Sequence, residues 1–473
     1  MSFVVFINGL TLVFFAALMA VDALVFPDTA EVFGLAAALT GLAGALISIA
    51  ATPSRDGLRH LHAFVLTAST WFVAAVAGAI PLWMWQLPPV DALFEAMSGI
   101  TTTGSTVMSG LDQTPRGVIL WRALLQAVGG VGFIVTGIAL LPILRIGGMQ
   151  LFRTESSDKG EKEMRNAASF AMATLEIYVT LILVCAVVYL VGGMSVFDAI
   201  THAMTTLSTG GYSGYDASFG HFDSAFLHWA CTFFMLAGAV PFAWYIRGVS
   251  QRRFRSEQVE AMLITLTVTI LFLSAWLVLT SDYGVWDALR LVAFNVVSVV
   301  TTTGYATTDY TAWGPPAAVA FFALTAVGGC TGSTAGGAKG MRWIVFARAT
   351  LMQLRVIWSP HVVQSIRYEG KPIGPDVLAG VISFFAIYMA TFLGLAGILS
   401  LLGLDFSTAT SGALTALANV GPGVGATIGP AGNFATLSDT VKLLLLFGMY
   451  LGRLEILTVM VLLTPVFWRE ATA

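Results

Sequence analysis

Thr302-Thr303-Gly304-Tyr305 decides the reading of this chain, because three other segments repeat it: Thr102-Thr103-Gly104-Ser105, Ser208-Thr209-Gly210-Gly211 and Asn419-Val420-Gly421-Pro422. Each follows an amphipathic stretch too short to cross a bilayer and is flanked by long apolar runs. With Gly104, Gly210, Gly304 and Gly421 as the central glycines, the spacings are 106, 94 and 117 residues, so a unit of about 100 residues occurs four times. One Thr-Thr-Gly is a common turn. Four at matching places between paired apolar runs describe a hairpin repeated four times.

Composition fixes the environment. Of 473 residues, 57% are hydrophobic and 10% charged, against roughly 25% charged in soluble domains. So much apolar surface points to a polytopic all-α membrane protein. Ten runs are long enough to cross a bilayer core: 3–26, 32–51, 62–86, 116–144, 169–192, 222–248, 258–280, 313–347, 375–403 and 436–467. Residues 3–26 lack the basic start and cleavage site of a signal peptide and read as a retained helix. The first two runs form a separate N-terminal pair (1–58). The other eight form four helix, short helix, loop, helix repeats, at 59–150, 151–250, 251–358 and 359–473, in a pseudo-fourfold arrangement.

The basic residues set the orientation. Arg55, Arg59, Arg145, Arg153, Lys159, Lys162, Arg165, Arg247, Arg252, Arg253, Arg255, Arg342, Arg348, Arg355, Arg367, Lys371 and Arg469 all fall on one side if ten helices span, and the opposite loops are mainly acidic. By the positive-inside rule both termini are cytoplasmic and the four loops open outward. Asp91, Asp198, Asp287 and Asp405 precede the four loops at similar distances and read as caps of the short helices, favoured by the dipole, with attraction of extracellular cations as a secondary benefit.

A monovalent cation leaves its hydration shell only where other oxygens replace it, and backbone carbonyls of an extended loop can do so. Directing successive carbonyls to one axis needs backbone angles that glycine adopts without a Cβ penalty. The loops therefore read as a cation filter. Its candidate residues are Thr102, Thr103 and Gly104; Ser208, Thr209 and Gly210; Thr302, Thr303 and Gly304; and Asn419, Val420 and Gly421. Potassium is the expected metal, as cargo, and no organic cofactor is expected. With a single key glycine per loop and no T-V-G-Y-G string, discrimination against sodium is expected to be looser than in tetrameric potassium channels.

Phe94-Glu95-Ala96-Met97-Ser98-Gly99 leading into Thr101-Thr102-Thr103-Gly104, the Gly328 to Gly337 run and Gly452-Arg453-Leu454-Glu455 resemble the TrkH branch of the Trk/Ktr/HKT superfamily over essentially the whole chain. The resemblance implies potassium uptake across a bacterial inner membrane, a homodimer with one pore per subunit, and regulation by a cytoplasmic nucleotide-binding TrkA ring. No G-x-x-x-x-G-K-[ST] loop occurs, so nucleotide sensing is expected of that partner. The partners are otherwise the lipid bilayer and no nucleic acid.

The Gly328 to Gly340 stretch interrupts the second helix of the third repeat. Glycine costs about 1 kcal/mol per helical position relative to alanine. From the residues, an intramembrane loop and a close-packed glycine face are equally open. The resemblance implies the first, a gate beneath the filter, with Gly328, Gly329, Thr331, Gly332, Ser333, Thr334, Gly336, Gly337 and Lys339 as candidates. Arg453, deep in the last run, is implied to lie beside it. The alternative for Arg453 is an ion pair with an acid such as Glu95 or Glu176. Arg122 and Lys442 have no assigned role beyond pairing or snorkelling.

Coupling to protons or sodium would need an intramembrane carboxylate, and Glu95, Glu176 and Glu455 are the candidates. A membrane enzyme is disfavoured, because His60 and His62 and the four other histidines form no metal-spaced cluster with acids. Cys185, Cys231 and Cys330 read as buried thiols.

Overall fold

The computed structural model describes residues 2–51, 60–139, 163–252, 254–361 and 365–472. Arg55, Arg59, Arg145, Arg153, Lys159, Lys162 and Arg253, and the repeat boundaries near 58 and 150, lie outside them. The described helices are α1 (Ser2–Val25), α2 (Ala30–Ala50), α3 (His60–Trp85), α4 (Pro89–Ile100), α5 (Arg116–Ala139), α6 (Glu163–Val191), α7 (Val196–Leu207), α8 (Ala225–Ala239) and α9 (Phe242–Gln251). They continue with α10 (Glu257–Thr280), α11 (Val285–Val300), α12 (Pro315–Thr325), α13 (Gly340–Trp358), α14 (Pro375–Leu401), α15 (Phe406–Ala418), α16 (Asp439–Arg453), α17 (Ile456–Leu462) and α18 (Pro465–Thr472). A two-residue hairpin, β1 (Arg367–Tyr368) with β2 (Lys371–Pro372), stands between α13 and α14.

Among the described residues, six apolar stretches run unbroken for the length of a membrane crossing: Ser2–Val25, Pro27–Ala50, Leu61–Trp85, Ser169–Val191, Glu257–Thr280 and Pro375–Leu401. Three others are broken. The α8/α9 pair bends by 88° and the α16/α17 pair by 110°, while α12 and α13 are separated by the Gly-rich stretch. Only the last break is visible as composition. At the first, Pro241 lacks an N–H to continue the ladder. At the second, Glu455 adopts φ 65°, which an L-residue holds only when its surroundings fix it.

The short helices α4, α7, α11 and α15 have 12, 12, 16 and 13 residues. At 1.5 Å per residue they reach about 18–24 Å, short of the roughly 30 Å hydrocarbon core. Their starts differ in detail. Asp405 is the N-cap of α15 and accepts from Thr408 N at 3.0 Å. Hydrogen bonds from the Thr408 side chain and N–H hold its carboxyl below the usual carboxylate range. Ser195 takes the cap of α7 and Pro88 and Gly284 those of α4 and α11, so Asp198, Asp91 and Asp287 stand in the first turn instead. There Asp91 binds Lys442 Nζ at 2.6 Å and Asp287 binds Arg290 at 3.0 Å.

Packing closes the four repeats into a ring. Within each repeat the short helix packs on the long helix before it. Between repeats, α5 packs on α7, α8 on α11, α12 on α15, and α16 back on α4. The core divides accordingly. One cluster unites repeats 1 and 4 with the N-terminal pair around Phe94, Trp121, Leu417 and Met449, and a second unites repeats 2 and 3 around Tyr189, Phe219, Phe294 and Tyr305. The three cysteines are buried and form no disulfide.

Candidate functional site

The chain leaves all four short helices by the same device. Thr102, Thr209, Thr302 and Asn419 have φ of 53°, 51°, 58° and 55°, and the glycines two residues later, Gly104, Gly211, Gly304 and Gly421, have φ of 83°, 73°, 82° and 110°. The left-handed region costs a non-glycine residue about 1–2 kcal/mol. Its fourfold recurrence at one position marks a turn that the ring requires. The pattern corrects the register of the second repeat. Gly211, rather than Gly210, is the counterpart of Gly104. Gly210 stands with Thr103, Thr303 and Val420, and Ser208 is the last residue of its helix turn, like Thr101 and Thr301.

The four loops touch in cyclic order. A Cβ on Gly104 would fall on the carbonyl oxygen of Gly210, one on Gly211 on that of Thr303, one on Gly304 on that of Val420, and one on Gly421 against that of Thr103. Each glycine thus lies against the carbonyl before the glycine of the next loop, and the fourth loop closes on the first. All four glycines line one cavity of about 620 Å³ that opens above them.

Side chains fix the ring from behind. Gln126 Nε2 donates to Gly210 O at 2.7 Å, and its Oε1 accepts from Tyr212 N at 3.0 Å. The Thr103 and Thr303 hydroxyls pair with those of Thr101 and Thr301 at 2.7 and 2.8 Å. Asn419 Nδ2 reaches Thr103 Oγ1 at 3.0 Å, and Ser105 Oγ donates to Gly421 O at 2.9 Å. Outside the ring, buried Arg122 and Glu95 form an ion pair at 2.8 Å. Arg122 also donates to Ser213 O at 2.7 Å, and Glu95 accepts from Thr106 and Val107 of the first loop. Glu95 is therefore committed to Arg122. Glu176 lies on the exposed face of α6.

Directly below the ring sits the Gly328 to Gly340 stretch, as a loop. Gly328, Gly332 and Gly337 have φ of 76°, 84° and 75°, and the two ends approach so closely that a Cβ on Gly337 would strike Gly328. Its hydrogen bonds reach three repeats. Thr334 Oγ1 is bonded to Leu207 O, Gly238 O and Thr209 Oγ1 at 3.0, 2.9 and 3.2 Å. Gly336 N donates to Thr302 Oγ1 at 2.7 Å and Gly337 N to Ala418 O at 2.9 Å. Phe242 N, at the bend between α8 and α9, donates to Gly332 O at 2.9 Å. Gln258 holds Thr331 through N–H to Oε1 (2.9 Å) and Nε2 to O (3.3 Å). Gly329 packs on Ala335, Ser333 Oγ bonds Cys330 O, and Lys339 Nζ bonds Ala335 O at 3.0 Å.

Arg453 supplies the link to the remaining repeat. Its Nη1 donates to Thr334 O at 2.9 Å and its Nη2 to Gly129 O of α5 at 3.0 Å. Neither Glu95 nor Glu176 is its partner in these bonds. Glu455 instead meets Arg342 at 2.7 Å, joining the bend in the last span to the first turn of α13. Sequence reasoning misses Gln126, Gln258 and Arg342 as site residues. The available signal was a polar side chain inside or at the edge of an apolar run, where an unsatisfied group is costly.

Residues 31–469 match the family model described as "TrkH: Cation transport protein". The chain is 48% identical to the Trk system potassium uptake protein TrkI of Halomonas elongata over 94% of this chain and 91% of that protein. It is 37% identical to the TrkH of the same organism over 98% of each. Its fold superposes on the crystal structure of the potassium transporter TrkH from Vibrio parahaemolyticus with a TM-score of 0.91 and 30% identity, over 98% of this chain and 99% of that one. An all-α architecture of broken and re-entrant helices closed into a ring by four equivalent loops is thus the fold of a transporter family, and the chain belongs to the TrkH family of cation transport proteins.

Proposed function

We propose that this chain carries potassium across the bacterial inner membrane through the four-loop ring, with the Gly328 to Gly340 loop and Arg453 as its gate. The observation that carries the reading is the cyclic seating of Gly104, Gly211, Gly304 and Gly421 on the carbonyls of Gly210, Thr303, Val420 and Thr103. It seats a backbone carbonyl of each loop against the glycine of its neighbour in a closed ring of four, and backbone carbonyls are the groups that replace a cation's water. The curated relatives are potassium uptake proteins by name. The filter comprises Thr102 to Gly104, Thr209 to Gly211, Thr302 to Gly304 and Asn419 to Gly421.

The gate reading rests on position. The loop lies under the ring and is bonded to its Thr209 and Thr302, and the Arg453 guanidinium stands at the same place. A fixed positive charge there raises the barrier to cations. Opening withdraws the loop, and a cytoplasmic TrkA-type ring acting on a homodimer is the regulator that the Trk relationship supports. Both termini are then cytoplasmic. Conduction down the gradient is favoured over ion-coupled transport, since Glu95 and Glu455 are held in buried ion pairs.

Gly304→Asp tests the filter. Rubidium uptake into proteoliposomes should vanish while membrane insertion and elution profile stay normal. Unchanged uptake and ion preference would overturn the assignment.

A further inference from the structure

Helix α13, which leaves the Gly328 to Gly340 loop (the floor loop beneath the ring), ends beside a basic cavity that conduction does not use. It has a volume of about 740 Å³ and lies among α13, the β1–β2 hairpin and the start of α10. Arg348 and Arg355, seven residues apart on one face of α13, line it with Arg367 of the hairpin, and Glu257 is the one acid among the described residues of its wall. The walls are built rather than incidental. Arg348 is paired with Glu257 at 2.7 Å and donates to Arg367 O. The hairpin turn is fastened to α10, with Glu369 Oε1 accepting from Glu257 N at 2.8 Å and Ser256 Oγ at 3.2 Å.

A second observation narrows the ligand. Leu351 lines the cavity and is itself exposed, and Leu354, Ile357 and Trp358 continue an exposed apolar strip to the end of α13, the last two 77% exposed. Three guanidinium groups against one carboxylate describe an anion site, and guanidinium favours phosphate by fork geometry. A free phosphate or nucleotide has no use for the adjoining strip. An amphipathic helix end with tryptophan, leucine and arginine belongs at the headgroup boundary.

We propose that this cavity seats the headgroup phosphate of an anionic phospholipid whose acyl chains lie along Leu351, Leu354, Ile357 and Trp358. The inference rests on the membrane-spanning fold and is independent of which ion passes the ring. Basic pockets on the positively charged side of a membrane protein are the usual place for such headgroups. A lipid held here grips α13, which begins where the floor loop ends.

The test is native mass spectrometry of the full purified chain, titrated with phosphatidylglycerol, phosphatidylcholine and inorganic phosphate. Each arginine near an anionic lipid contributes on the order of fivefold in affinity. Phosphatidylglycerol should therefore outcompete phosphatidylcholine, with Arg355→Gln and Arg367→Gln each losing about fivefold and Arg355→Lys retaining most of it. Leu354→Ser should weaken phosphatidylglycerol and leave inorganic phosphate unaffected. Arg348 is left intact because its bonds hold the cavity together. Equal binding of the two lipids, or of phosphatidylglycerol to wild type and both Gln variants, would overturn the proposal. Inorganic phosphate displacing the lipid at equal concentration would make this a free-anion site. Gln variants that keep the lipid but lose a cytoplasmic partner protein would reassign the arginines to docking.

Discussion

Gly210→Ala and Gly211→Ala differ by one position and should differ in what rescues them. Gly211 has φ 73°, and a Cβ there would fall on Thr303 O, a backbone atom of the next loop. The left-handed strain alone is about 1–2 kcal/mol. That is a factor of roughly 5–30 in the population of the intact ring, before Thr303 O is displaced. Gly210 has no positive φ, and its Cβ would meet the Gln126 amide, the movable end of a side chain. The loss there is the Gln126 bonds to Gly210 O and Tyr212 N, on the order of 1–3 kcal/mol for a buried group left unpaired. The two costs are of similar size, so severity alone does not separate the variants and rescue must. Gln126→Ala should recover part of the rubidium flux of Gly210→Ala, because it removes the obstacle. It should do nothing for Gly211→Ala, whose obstacle is backbone. Rubidium-to-sodium flux ratios in proteoliposomes give the readout, with selectivity lost in Gly211→Ala. Rescue of Gly211→Ala by Gln126→Ala, or retention of selectivity in that variant, would refute the revised register and the ring with it.

Other expectations follow from single contacts. Arg453→Ala removes the two charge-assisted hydrogen bonds that tie the floor loop to α5, each about 1.5–3 kcal/mol. Basal flux without partner should rise at least tenfold, with Arg453→Lys intermediate; a folded variant with unchanged or lower flux argues against the gate. Glu95→Gln leaves Arg122 without its buried counter-charge, a loss of about 3–5 kcal/mol. The double change Glu95→Leu with Arg122→Met should cost less, and a denaturant melt in detergent that ranks them the other way contradicts the pairing account. Because Glu95 and Glu455 are held by arginines, the reversal potential should move about 59 mV per tenfold potassium gradient and stay fixed when pH is changed on one side. A pH-dependent shift would indicate proton coupling.

The fourfold hairpin was legible because the loop glycines recur between apolar runs of spanning length. Register in the second repeat was not. Two adjacent glycines, Gly210 and Gly211, offer either position, and only the left-handed Thr209 shows which one turns. The break after α12 announced itself by glycine content. The bends at Pro241 and Glu455 hid inside apolar runs that read as continuous, although a proline and an acid marked both places. Partnerships over long sequence distances are not legible in sequence: Arg122 and Lys442 read only as pairing or snorkelling residues, and the fold supplies their partners Glu95 and Asp91. The aspartates before the loops read alike as helix-start residues, yet Asp405 alone takes a cap, since Ser195, Pro88 and Gly284 occupy the others.

The most direct test of the central claim is potassium efflux from proteoliposomes holding the purified chain, driven by a potassium gradient against external sodium with no proton gradient. The Arg453→Ala variant is measured beside the wild type, so that a closed gate cannot hide the pore. Efflux in the variant that disappears when Gly304→Asp is added is the predicted result. Variant vesicles as tight as protein-free ones, or efflux indifferent to Gly304→Asp, would contradict conduction through the four-loop ring.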